Sequence, residues 1–180
     1  MTPVSETFVF DTGPLRHFAL AGWLGVLKYL TQGNTVVIPE SVEAELLEQQ
    51  HSHASLEQVL GADWIAVDRG DDIHYLAEFA RYEKRLVAGG RNRGECGVLA
   101  LGRCYGYTMI IDDRVPRKIA DDEKLHARGT LALLCEAIRE RQLTVSMVES
   151  LADDLLSGTY HLPFEPGGFR NWAAGQGLID

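Results

Sequence analysis

Four short apolar, β-prone runs alternate with stretches of helical spacing, and this rhythm constrains the fold more than any other feature of the chain. Thr7 to Phe10 is the first run and stops at Asp11. Gly13-Pro14 then opens a long helical segment through Leu30, with apolar residues at Leu15, Phe18, Ala19, Trp23, Val26, Leu27 and Leu30, the period of one helix face. Thr35 to Ile38 is a second buried-type strand, ended by Pro39, and Glu40-Ser41 begins a helix through Val42, Leu46 and Leu47. Trp64 to Val67 reads as a third strand and Asp71 to Leu86 as a helix entered through Asp71-Asp72. Gly89 to Gly94 reads as a loop. Glu95 to Tyr105 is expected to be a helix with small residues on one face, and Thr108 to Ile111 a fourth strand ending on Asp112-Asp113. Val115 to Leu125, Leu131 to Arg141 and Val148 to Leu156 complete the helical segments. Strands separated in this way need crossover connections, so the expectation is an α/β fold with a parallel sheet and helices on both faces.

Residues 1–162 read as a single domain. The tail 163–180 is glycine-rich and weakly patterned; it is expected to be flexible, to dock on a partner, or to strap its own domain through Phe164, Phe169 and Trp172. With 180 residues and 46% hydrophobic content the chain can fill one core, and disorder, collagen-like repeats and disulfide scaffolds are excluded on composition. Cys96, Cys104 and Cys135 contain no C-x-x-C pair, so the expected setting is a reducing cytoplasm. The start lacks the basic region of a signal peptide. The longest apolar stretch, Phe18 to Leu30 with Lys28 inside it, is well short of the ~20 residues a membrane span requires.

A net charge of −9 argues against a protein that coats nucleic acid nonspecifically. The charge is uneven, however: residues 81–118 hold nine basic and four acidic residues, a local basic band on an otherwise acidic chain. In an open parallel sheet ligands bind beyond the carboxyl ends of the strands, where Asp11 and the Asp112-Asp113 pair fall. Taken singly, each acidic candidate has a plain alternative. Asp11 suits an Asx-turn or cap, and Asp113 suits a helix N-cap. Glu45 suits a solvated face beside Glu43 and Glu48, and Glu95 suits a helix N-terminus, where an acid contributes ~0.3–1 kcal/mol.

Four segments in order, FVFDTGPL, VVIPESVEAEL, GECGVLALG and MIIDDRVPRKIA, together resemble the PIN-domain nucleases, in particular the toxin-like prokaryotic branch. The later GTLALLCEAIRERQL is similar to the family's Gly-Thr helix start, at Gly129-Thr130. The resemblance covers about residues 7 to 140 and rests on order and spacing rather than on any one segment. It implies a three-layer α/β/α sandwich around a central parallel sheet. It implies also that Asp11, Glu45, Glu95 and one of Asp112 or Asp113 bind Mg²⁺ or Mn²⁺ to hydrolyse RNA phosphodiesters. The family role so implied is a metal-dependent endoribonuclease, the toxin of a toxin–antitoxin pair, working as a homodimer. One departure stands out. Many members carry Thr or Ser before the last acidic position, and two adjacent Asp residues here leave the identity of the ligand open.

The residue types suit that chemistry independently. Hard oxygen ligands select Mg²⁺ or Mn²⁺ over zinc, and one or two carboxylate-held metals can activate water and neutralise the scissile phosphate without a protein nucleophile. Thr12 either adds a hydroxyl beside the site or serves the strand-to-helix turn. Arg91, Arg93, Arg114 and Arg117 flank the acidic segments and are expected to hold RNA phosphates, and Arg117 equally suits pairing with a site carboxylate. His51-Ser52-His53 is the only close His pair and lies in a polar stretch, where no metal site is expected. Cys96, Cys104, Trp23 and Trp64 read as packing residues. A catalytically silent module that binds RNA or protein is the alternative function. A haloacid-dehalogenase-like phosphatase is discounted, because Gly13 occupies the position of its second Asp.

Overall fold

The computed structural model describes residues 5–87 and 91–179; Gly89 and Gly90 of the expected loop lie outside the described residues. Five parallel strands form one sheet in the order β3-β2-β1-β4-β5: β1 is Thr7–Phe10, β2 Thr35–Pro39, β3 Ala66–Asp68, β4 Thr108–Ile110 and β5 Ala127–Arg128. Val9 lies opposite Val37 on one side and Met109 on the other. The central strand is buried from Phe8 onward, with Val9 and Phe10 at 0% exposure, which is why it reads as a continuous apolar run rather than an alternating one.

The helices are α1 Thr12–Leu20, α2 Leu24–Leu30, α3 Glu40–Gln50, α4 Glu57–Leu60, α5 Ile73–Leu86, α6 Arg93–Tyr105, α7 Arg114–Asp122, α8 Thr130–Arg139, α9 Val145–Ser157 and α10 Phe169–Gly175. Together with the sheet they make the three-layer α/β/α sandwich. α6 packs against β1, β2 and β4 and between α3 and α5. Its small residues allow the close approach: a Cβ on Gly97 would sit 2.3 Å from the Ser41 hydroxyl and 2.7 Å from Pro39.

Several elements depart from the sequence pattern. The helix expected from Pro14 to Leu30 is two helices, because Gly22 takes φ +78° and the Trp23 amide bonds back to the Phe18 carbonyl. The third strand starts at Ala66 rather than Trp64. β5 has only an Ala and an Arg to announce it. α7 stops at Asp122, with Lys124 at φ +57° turning the chain into β5. In the segment after Pro163, α10 packs on α9; Phe169 is fully buried, and the Phe164 ring lies 5.8 Å from Phe169 and 5.3 Å from Trp172.

The strand order matters most for function. It reverses between β1 and β4, so the loops leaving these two strands diverge and open a crevice at their carboxyl ends. The Asp11 amide donates to the Ile110 carbonyl at 3.1 Å, which sets the end of β1 directly beside the Asp112-Asp113 pair.

Candidate metal centre

Asp11 follows the last residue of β1 and stands at the N-cap position of α1. Its carboxylate makes no capping hydrogen bond and is 5% exposed. Asp113 occupies the same position on α7, likewise without a capping bond, and is exposed. Glu95 is the third residue of α6, only 8% exposed, and its Oε2 is buried with no hydrogen-bond partner. One carboxylate oxygen from each of Asp11, Glu95 and Asp113 lies within 4.8 Å of the other two. Capping therefore does not account for Asp11 or Asp113.

The electrostatics follow from this crowding. Burial pushes the Asp11 carboxyl up to about 7, and the charges of Glu45, Asp113 and Asp112 push the same way. Burial likewise raises Glu95, to about 8, with Asp11 and Asp113 adding to it. Buried like charges disfavour one another's ionised forms, and a cation between them reverses that penalty.

Glu45 and Asp112 stand beside the trio and hold it in place. Glu45, in the second turn of α3, accepts the Gly94 N–H on Oε1 at 2.8 Å and the Thr12 hydroxyl on Oε2 at 2.5 Å. It thereby ties α3 to the starts of α1 and α6. A Cβ at position 94 would come within 2.6 Å of Glu45 Oε2, so any larger residue there must displace Glu45. Asp112 accepts the Thr130 N–H at 2.7 Å, the Thr130 hydroxyl at 2.6 Å and the Tyr160 hydroxyl. This buckle anchors the start of α8 and the chain after α9 to the end of β4. Of the two adjacent aspartates, then, Asp113 joins the cluster and Asp112 is committed to the scaffold. Thr12 is spent on Glu45.

The four expected arginines divide. Arg91 is exposed and borders the site cleft. Arg93 pairs with Glu83 at 3.4 Å and lies over the Phe79 ring, facing a neighbouring pocket of about 410 Å³. Arg114 is exposed on α7 and does not border the cleft, and Arg117 lies against Gly129. Much of the basic band is internally compensated, with Arg81 and Arg85 both 2.7 Å from Glu123 and Lys118 paired with Asp122.

The cleft itself measures about 780 Å³. It is also bordered by Arg16, His17, Gln49 and His53, none of them expected from sequence to be site residues. Arg16 falls little more than one helical turn after Asp11, a spacing that could have pointed to it. Tyr160 is distant in sequence and had no local signal.

A parallel sheet with an all-oxygen acidic cluster at its switch point forms a site able to hold a metal ion. A family model described as a PIN domain matches residues 7–165, and the chain belongs to the PIN-domain family. No curated protein and no solved structure matches the chain significantly. PIN domains are generally metal-dependent nucleases, which implies a nucleic-acid substrate. Among the described residues no helix is long and apolar enough to cross a membrane.

Proposed function

We propose that this protein is a metal-dependent endoribonuclease that hydrolyses RNA phosphodiester bonds with Mg²⁺ or Mn²⁺ held by Asp11, Glu95 and Asp113. The observation that carries the reading is the buried, unpartnered Glu95 Oε2 within 4.8 Å of two further carboxylates. An orphaned buried acceptor costs ~1–3 kcal/mol, a cost that a bound cation offsets. The donor set is all oxygen, which fits hard divalent ions. When bound, such an ion supplies the positive charge that lets water attack a phosphodiester at neutral pH.

The chain's own residues supply position. Glu45 and Thr12 lock the start of α1, and with it Asp11, against α6. Asp112, Thr130 and Tyr160 lock the end of β4 and leave Asp113 turned to the cluster. Clustered carboxylates favour the enzyme over a silent binding module, whose function gives no return for their repulsion. The finer assignments rest on the family resemblance: RNA rather than DNA as substrate, a toxin's place beside an antitoxin, and a homodimer in the cytoplasm.

The test is cleavage of a labelled single-stranded RNA by the purified protein with Mn²⁺ or Mg²⁺. Activity is expected to vanish in EDTA and in Asp11→Asn or Glu95→Gln proteins that keep a native circular-dichroism spectrum. Undiminished cleavage in EDTA sinks the metal mechanism. Growth arrest on expression, relieved by the product of an adjacent gene, tests the toxin role, and light scattering tests the dimer.

A further inference from the structure

Besides its carboxylates, the lining of the cleft includes an arginine, two histidines and a glutamine. Arg16 lies on α1, five residues beyond Asp11 and so roughly 7 Å along the helix axis. It makes no salt bridge among the described residues, although the cleft is rich in carboxylates. Its Nε is buried with no hydrogen-bond partner. Its two terminal nitrogens make only long contacts, Nη1 to His17 Nε2 at 3.5 Å and Nη2 to His53 Nε2 at 3.4 Å. Arginine can only donate, so an imidazole nitrogen that faces it can only accept; burial and the Arg16 charge hold His17 well below its ordinary value, at about 4. A second polar atom of a residue lining the same cleft, Gln49 Oε1, is also buried and unpartnered.

Structural arginines in this protein look different. Arg81 donates to both Glu78 and Glu123 at 2.7–2.8 Å, and Arg69 spans Glu40 and Glu43. Arg16 is a partly buried guanidinium, unpaired with the nearby carboxylates and flanked by two imidazoles, which bear no negative charge to cancel its own. Its fork geometry matches two oxygens of a phosphate.

We infer that Arg16, steadied by His17 and His53, binds the backbone phosphate next to the scissile one, with Gln49 contacting the same nucleotide. The inference rests on the ribonuclease reading of the cleft and adds to it a phosphate subsite on α1, outside the basic band between Arg81 and Lys118. The trio of carboxylates repels nucleic acid unless a cation is present, and Arg16 supplies a fixed positive charge in the same cleft. Substrate is thereby held by two phosphates in succession, one at the carboxylates and one at Arg16, and a strand that offers a single phosphate loses half of that grip.

The experiment is fluorescence anisotropy with a labelled ten-residue single-stranded oligoribonucleotide, with Ca²⁺ in place of Mn²⁺ so that binding is read apart from cleavage. Arg16→Ala is expected to weaken binding about tenfold, the effect of losing one charge-assisted hydrogen-bonded contact. It should also reduce the slope of log affinity against log salt by about 0.7, the value for one phosphate on a single strand. The thermal shift that Mn²⁺ gives the wild type should persist in the variant. Arg16→Gln, which keeps hydrogen bonding but not charge, should lose the salt slope in the same way and serves if the alanine protein does not fold. Unchanged affinity and slope in both variants overturn the subsite, as does loss of the Mn²⁺ shift together with binding, which would make Arg16 a support of the metal centre. A wild type that does not bind the oligonucleotide also overturns it. Cleavage is scored separately. A protein that binds through Arg16 yet never cleaves keeps the subsite and removes the nuclease reading, and one that cleaves while the variants bind normally does the reverse.

Discussion

Asp11→Asn should stabilise the metal-free protein, and by an amount that grows with pH. The Asp11 carboxyl is buried, and its value rises from 3.8 to about 7 in the fold. A group raised in this way favours the folded state while protonated: the penalty is absent below its unfolded value, grows as pH rises towards the folded value, and is complete above it. Three units correspond to about 4 kcal/mol at alkaline pH, and to less than about 2 kcal/mol near pH ~5. Asparagine keeps the shape and removes the charge, and relieves Glu95 of the second-largest influence upon it. Urea unfolding followed by circular dichroism in EDTA, near pH ~5 and pH ~9, should therefore show a stabilisation that widens by about 2–3 kcal/mol between the two conditions. Adding Mn²⁺ at a hundredfold excess over its dissociation constant should stabilise the wild type by about 2.7 kcal/mol and the variant markedly less. The reasoning fails if Asp11→Asn destabilises the protein equally at both pH values. That is the signature of a lost structural hydrogen bond, and it removes the cation site with it.

The neighbouring aspartates should separate cleanly. Asp113→Asn should stabilise metal-free protein and abolish the Mn²⁺ shift, whereas Asp112→Ala should destabilise by about 2 kcal/mol with or without metal, because Thr130 and Tyr160 lose their acceptor; scanning fluorimetry of both variants decides it. Gly94→Ala should fold but bind Mn²⁺ more weakly, measured by calorimetric titration, because the new methyl displaces Glu45; wild-type affinity contradicts the positioning role of Glu45. Glu123, held down to about 2 chiefly by its hydrogen bond from Arg81, stabilises the fold above its ordinary value of 4.5, and that contribution is lost as pH falls towards 2. Glu123→Gln should cost about 2 kcal/mol at neutral pH after allowance for solvent screening of the exposed arginines, and almost nothing near pH ~2. A pH-independent difference in urea midpoints would contradict it.

The alternation of apolar runs and helical segments was enough to expect a parallel α/β sheet, because each buried strand must be a short stretch of β-prone residues and each crossover a helix long enough to return. Asp11, Glu95 and the Asp112-Asp113 pair were legible for the same reason: a carboxylate that closes a buried strand or opens a buried helix is placed by the strand or helix itself. What each carboxylate does there was not legible. Asp112 and Asp113 are chemically identical and adjacent, and only the backbone direction at the end of β4, together with Thr130 and Tyr160 arriving from 18 and 48 residues away, commits one to the scaffold and leaves the other to the cluster. Glu45, which taken singly suited a solvated acidic face and by resemblance a metal ligand, has both carboxylate oxygens bonded to Gly94 and Thr12 once α6 and α1 come close. The basic band between Arg81 and Lys118 illustrates the converse. Sequence counts charges, but whether an arginine is free to meet a phosphate depends on which carboxylates fold against it. Arg81 and Arg85 met Glu123, while Arg16, which no composition window singled out, was left facing the cleft.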